Sequence, residues 1–174
     1  MEKYVPDIYK KSIFEIDYEE LKENGIKYLL FDLDNTIAPF SCKKVSAEVQ
    51  DLFYKIKQTG LKPIIFSNSP KIRVKFFGEQ LNIDIFSCAR KPSIKGFNKV
   101  FKKYKMDQAE VAIIGDQLMT DIVGGNKAGI VTILVDPIGK DPFWTKINRF
   151  REKRVLNKLS KSNLLRKGKY YVQM

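Results

Sequence analysis

The stretch Ile26-Lys27-Tyr28-Leu29-Leu30-Phe31-Asp32-Leu33-Asp34-Asn35-Thr36 constrains this chain more than any other. From Ile26 to Phe31 every position but Lys27 is apolar, which suits a strand buried inside a parallel sheet. The run then delivers two carboxylates at alternate positions. If the strand continues, Asp32 and Asp34 share a side, and if it ends in a turn both still crowd its mouth. Two such charges need a cation. The same residues also read as a strand followed by an acidic, Asn-containing turn, and the stretch by itself leaves both readings open.

The chain contains no histidine. That absence excludes His-based acid/base chemistry, Ser-His-Asp and Cys-His nucleophiles and any His metal site, leaving carboxylates as the ligands for a hard cation. Cys42 and Cys88 are isolated and no CxxC occurs, which argues against a disulfide framework or a cysteine zinc site; Cys42 reads as a small apolar filler near the mouth. The N-terminus carries charges early and has no apolar core segment, so it is not a secretory signal. No apolar run approaches the ~18 residues that a membrane span requires, and the expected location is the cytoplasm. Of the net charge of +12, most belongs to the tail: residues 140–174 hold 11 Lys/Arg against 2 Asp/Glu, and the remainder 21 against 18.

With 174 residues and 44% hydrophobic content, one domain is the simplest expectation. Residues 1–25 read as an N-terminal arm in which Ile13, Phe14, Ile16, Tyr18 and Leu21 can pack on the body. Val45, Val49, Leu52, Phe53 and Ile56 fall at helical spacing, with Ser46 at the start and Gly60 beyond the end. Pro63 to Phe66 forms a short strand, Ser67 to Pro70 a turn, and residues 71–81 a helix. A brief strand at 83–86 precedes a helix carrying Ile94, Phe97, Val100, Phe101 and Tyr104. Val111 to Asp116 repeats the opening pattern, and a fifth strand lies at 131–136. Five strands alternating with helices predict a doubly wound α/β sheet, mainly parallel, with helices on both faces, over residues 1–140.

In open α/β sheets, ligands bind outside the carboxyl ends of the strands. The polar residues collect there: Asp32, Asp34 and Thr36, then Ser67 and Asn68, then Lys91, then Asp116 and Asp121. Each alone is an ordinary turn, cap or surface residue. In this order on this βα pattern, the chain resembles the haloacid dehalogenase (HAD) superfamily of phosphatases, which have a Rossmann-like fold. Four signatures carry the resemblance: Asp32-Leu33-Asp34-Asn35-Thr36, Ser67 in Phe66-Ser67-Asn68, Lys91 in Arg90-Lys91-Pro92, and Gly115-Asp116-Gln117-Leu118-Met119-Thr120-Asp121. More narrowly, Val5-Pro6-Asp7, Lys11-Ser12-Ile13-Phe14 and the run from Gly115 to Pro137 resemble the YqeG-type subgroup, subfamily IIIA, which includes phosphatidylglycerophosphate phosphatases. The usual Ser-Asn-Asn of the second signature appears here as Ser67-Asn68-Ser69. Neither GxGxxG nor GxxxxGK[ST] occurs, so no Gly-rich phosphate loop competes.

The resemblance implies Asp32 as nucleophile, forming an aspartyl-phosphate, and Asp34 as the acid/base that protonates the leaving oxygen and then activates water. It implies Mg²⁺ held by Asp32, the Asp34 backbone carbonyl and Asp116, with Asp121 ligating directly or orienting a water. Ser67 and Lys91 would receive the phosphoryl oxygens, with Thr36 and Asn68 in support.

Family members often carry a cap domain between these signatures. The gaps from Asp34 to Ser67 and from Ser67 to Lys91 leave no room for one, so the mouth is expected to be open, which favours a phosphate displayed on something large. In the basic segment 141–174, Phe143, Trp144, Ile147, Phe150, Val155, Leu156 and Leu159 alternate with Lys146, Arg149, Arg151, Lys153, Arg154 and Lys158. Three readings stay open: a helix lying on an anionic membrane as a peripheral contact, a helix packed on the domain, or an RNA-binding segment helped by Tyr170 and Tyr171. The alternative function is accordingly an RNA- or ribosome-associated protein with incidental phosphatase activity, or a phosphatase of soluble sugar or nucleotide phosphates.

Overall fold

The structure, a computed structural model, describes residues 2–139 and 146–173, the side chains of 146–150 excepted. Its centre is β2 (Tyr28–Phe31), in which Leu29, Leu30 and Phe31 are fully buried. On one side of it lie β3 (Lys62–Phe66) and β4 (Asp84–Phe86), and on the other β5 (Val111–Gly115) and β6 (Val131–Val135), all parallel. Beyond β6 run β1 (Ile8–Lys10), parallel to it, and β7 (Tyr171–Val172), antiparallel to β1. The sheet order is therefore β4-β3-β2-β5-β6-β1-β7.

The five expected strands are present and the α/β class holds, but the sheet has seven strands. The two additions correct the expectation. A three-residue strand cut from the arm and a two-residue strand cut from the tail are too short to show a period of their own, and only pairing across the chain defines them.

Side chains alternate between two cores, as a period of two demands. Leu29, Phe31, Ile65, Ala112 and Ile114 face α1 (Tyr18–Glu23), α2 (Ala47–Gln58) and α3 (Lys71–Leu81), which bury Leu21, Phe53, Ile56, Val74 and Phe77 there. Leu30, Ile64, Phe66, Val111 and Ile113 face the opposite way, toward Phe97, Val100 and Phe101 of α4 (Ile94–Tyr104) and Ala128 of α5 (Val123–Ala128). The Ser46 hydroxyl accepts from the Val49 N–H and caps α2, as a serine at that position is suited to do.

The helix of the basic segment is α6 (Lys146–Lys161). Leu159 and Leu165 are buried with Tyr9, Leu118, Ile122 and Leu134 in a third cluster. Phe143 and Trp144, with the side chains of Ile147 and Phe150, lie outside the described residues. Among the described residues no helix is long and apolar enough to cross a membrane.

Candidate active site

The strand order reverses at β2, where the chain goes first to β3 and later to β5 on the other side. Ligand sites form at such a switch point, just past the carboxyl ends of the strands. Phe31 pairs with Ile114, so the next residue, Asp32, leaves the sheet beside Gly115 and donates its N–H to the Ile114 carbonyl at 2.8 Å. Asp116 follows β5 directly. A single π-helical turn, Leu118–Ile122, then carries Asp121 back over Gly115, where its carboxylate accepts from the Gln117 N–H at 3.2 Å. Carboxylate oxygens of Asp32, Asp116 and Asp121 lie within 4.8 Å of one another, and all three residues are buried.

Lys91 enters from the loop after β4. Its Nζ donates to Asp32 Oδ1 at 2.7 Å and to Asp121 Oδ1 at 2.6 Å. Burial alone would lower the lysine's pKa, but the Asp121 and Asp32 charges outweigh it and hold it above the ordinary value, so Lys91 is a fixed cation. Burial pushes Asp121 up while Lys91 pulls it back, and the carboxyl settles at about 6. One ammonium thus faces three carboxylates in a buried place. An all-oxygen donor set with a surplus of negative charge fits a hard dication such as Mg²⁺.

The Asp34 carboxylate stands outside this trio. It pairs with Arg73, whose Nε and Nη2 reach Asp34 Oδ1 at 2.8 and 2.7 Å, and it accepts a hydrogen bond from the Ser69 hydroxyl. Arg73 is itself fixed by the Cys42 carbonyl at 3.1 Å and by the rings of Phe40 and Phe77, each 5.1 Å from the guanidinium carbon. Asp34 is followed at once by Asn35, which turns the chain with φ +62° and accepts from the Phe40 N–H. Asparagine tolerates this left-handed conformation better than most residues. The acidic, Asn-containing turn is therefore as real as the cluster of carboxylates.

The remaining candidates divide. The Ser67 hydroxyl accepts from the Ser69 N–H, which leaves its proton to donate toward the site. Thr36 donates to Asp116 Oδ1 at 3.2 Å and so orients a carboxylate of the trio. Asn68 spends both ends of its amide on the Lys91 main chain, donating to the carbonyl at 3.0 Å and accepting from the N–H at 2.7 Å. It positions the lysine. Arg73 and Ser69 are the site residues that pattern reading passes over, while Gly115 stands in a signature without a role assigned to it. Ser69 was visible only as a departure from Ser-Asn-Asn, and Arg73 meets Asp34 across 39 residues with no motif to mark it.

At the other end of the mouth, α6 and the tail complete a wall. Buried Glu152 accepts from the Leu118 N–H at 2.7 Å, while Asp136 accepts from the hydroxyls of Tyr9 and Tyr170 at 2.5 and 2.8 Å. The Tyr171 hydroxyl donates to the Pro6 carbonyl. Both tail tyrosines thus bond within the protein.

Comparison with known proteins places this chain among phosphatases. Residues 88–161 match the Hydrolase_like family, described as HAD-hydrolase-like. The protein named "Probable phosphatase YqeG" from Bacillus subtilis (strain 168) is 39% identical over 159 residues, covering 91% of this chain and 92% of that one. Phosphatidylglycerophosphate phosphatase 1, chloroplastic/mitochondrial, of Arabidopsis thaliana is 28% identical over 94% of this chain, which spans about half (49%) of the plant protein's length. The crystal structure of 3-deoxy-D-manno-octulosonate 8-phosphate phosphatase from Yersinia pestis superposes with a TM-score of 0.52 at 14% identity, covering 70% of each chain, and shares the fold.

Proposed function

The chain belongs to the haloacid dehalogenase superfamily of phosphatases, in its YqeG-type branch, and on that premise we propose that it hydrolyses a membrane-displayed phosphomonoester with Mg²⁺, through an aspartyl-phosphate on Asp32. The observation that carries this reading is the Lys91 ammonium bridging Asp32 and Asp121 beside Asp116. A phosphoryl group approaching the Asp32 carboxylate meets a cation already 2.7 Å from that carboxylate. Preorganised charge of this kind stabilises the anionic transition state without reorganisation during the reaction.

In the first step an Asp32 oxygen bonds to phosphorus as the ester P–O bond breaks, and Asp34, which must take up a proton against its Arg73 ion pair before this step, gives that proton to the leaving alkoxide. In the second, Asp34 takes a proton from water, the water oxygen bonds to phosphorus, and the Asp32–phosphorus bond breaks to release orthophosphate. Asp32, Asp116 and the Asp34 main-chain carbonyl would hold Mg²⁺, with Asp121 beside them, and the ion would offset the charge that opposes the meeting of two anions. Arg73 and Ser69 hold Asp34 in place for both proton transfers, and the Ser67 hydroxyl donates to a phosphoryl oxygen.

What covers the site supports the reading of the substrate. Between Asp34 and Ser67 there are α2 and β3, and between Ser67 and Lys91 there are α3 and β4, with no cap domain in either interval. An open mouth suits a phosphate carried on a bilayer, and the likeness to a phosphatidylglycerophosphate phosphatase favours that lipid. The test is phosphate release from phosphatidylglycerophosphate in vesicles and from soluble sugar and nucleotide phosphates, with Mg²⁺ or with EDTA. Mg²⁺-dependent turnover preferring the lipid, absent in Asp32→Asn, is expected. Turnover in EDTA or in Asp32→Asn overturns the mechanism, and a preference for a soluble ester overturns the substrate.

A further inference from the structure

We propose that the catalytic end of the sheet is itself a membrane-docking face, with Ile72 and Phe76 of α3 as its apolar contact and the lysines around them as its anionic-lipid contact. This inference rests on the reading of the substrate as membrane-displayed.

Because β2, β3 and β4 are parallel, the loops that follow them all open on the side where Asp32 lies. α3 starts in that plane, five residues past the end of β3. Ile72, in its first turn, is 87% exposed, and Phe76, one turn on and on the same stripe, is 47% exposed. Ile94, which opens α4, and Ile138 are exposed as well. Ile138 lies at the mouth, since its N–H donates to the Asn35 carbonyl at 2.9 Å. Single exposed apolar residues need no explanation, but Ile72 and Phe76 border one cavity together, and Ile94 and Ile138 follow strands at the same end of the sheet.

Charge selects the occupant. In these three loops and the helix turns they lead into, Lys43, Lys44, Lys71, Arg90 and Lys95 are exposed, and none forms an ion pair among the described residues. The exposed acids are Glu48, at the start of α2, and Glu79, on the cavity rim beside Phe76, where Lys75 pairs with it at 3.5 Å. Aliphatic and aromatic side chains set among unpaired cations match a bilayer that offers acyl chains beneath anionic headgroups. The face is also joined to the chemistry. Lys43, Ile72 and Phe76 border a shallow cavity of about 570 Å³ whose lining includes Arg73, the residue that holds Asp34. A protein seated there brings headgroup phosphates to the mouth without a cap domain.

The test is co-sedimentation of the full chain with vesicles of phosphatidylglycerol and phosphatidylcholine, and with phosphatidylcholine alone, alongside hydrolysis of p-nitrophenyl phosphate in solution. Wild type is expected to bind the anionic vesicles, and more weakly as salt rises. Ile72→Ser/Phe76→Ser should lose about ten-fold or more of that binding. Each of Lys43→Gln, Lys71→Gln and Lys95→Gln should lose about five-fold. All should keep wild-type turnover of the soluble ester. Equal binding by the double variant, or equal binding to neutral vesicles, overturns the proposal. So does concentration-dependent self-association that the double variant abolishes, which makes the face a contact between copies. Loss of p-nitrophenyl phosphate turnover in the wild type instead strikes the enzymatic reading, so the two failures are distinguishable.

Discussion

Gly115 lies against Asp121 so closely that a Cβ on the glycine would stand 2.3 Å from the Asp121 carboxyl carbon and 2.7 Å from its Cβ. The hydrogen at position 115 is what admits the third carboxylate to the trio. Because the clash involves the Asp121 Cβ and not only its tip, the side chain cannot swing clear. Gly115→Ala should give a folded protein whose Mg²⁺ affinity, measured by titration calorimetry, falls by about 10- to 100-fold. Wild-type affinity in that variant would remove Asp121 from the metal's surroundings.

Arg73 grips one Asp34 oxygen through two of its nitrogens while its guanidinium packs between two rings. Lysine offers a point charge and no planar fork, so Arg73→Lys is not a conservative change here. Its kcat should fall about 10²-fold, the scale of a misplaced catalytic group. KM and circular dichroism should stay near wild type, and an unchanged kcat would show that Asp34 needs no such clamp.

Lys91 is buried and neutralises part of a carboxylate cluster, and its loss leaves like charges facing one another in a dry place. Lys91→Met should cost about 3–5 kcal/mol in urea denaturation under EDTA. Mg²⁺ should return more of that stability in the variant than it adds to the wild type, because the cation offsets the charges the lysine leaves. Denaturation midpoints with and without Mg²⁺ measure both effects, and a variant as stable as wild type in EDTA would contradict the charge accounting.

The Asp121 carboxyl titrates at about 6 in the folded protein, against 3.8 for an unperturbed aspartate. Between these values the native state binds more protons than the unfolded chain, so stability from this group is present at low pH and declines as pH rises through that window. In EDTA, the stability of wild type minus that of Asp121→Asn should therefore fall between about pH 4 and pH 6. A flat or rising difference would show that the burial of Asp121 is already fully offset by Lys91.

The central strand was legible because burial on both faces writes a continuous apolar run, and the three expected helices at 45–56, 71–81 and 94–104 were legible because each buries one stripe at helical spacing. The acidic residues were legible too, since strand ends are where charge can follow an apolar run. Beyond these lie contacts that have no local trace. Arg73 meets Asp34, Asn68 cradles Lys91, and Tyr9 and Tyr170 share Asp136, each pair brought together from distant parts of the chain. β1 and β7 are three and two residues long, below the length at which alternation can be read.

By itself, the sequence determined an α/β sheet and the positions of its carboxylates, because periodicity and spacing are properties of the chain alone, and the family followed from the resemblance of its motifs. The tertiary structure decided which carboxylates share a cation, which stands apart with Arg73, and which apolar side chains are left facing solvent around them. Those are outcomes of packing between segments distant in the chain, as Lys91 and Asp121 are 30 residues apart and Asp34 and Arg73 are 39 apart.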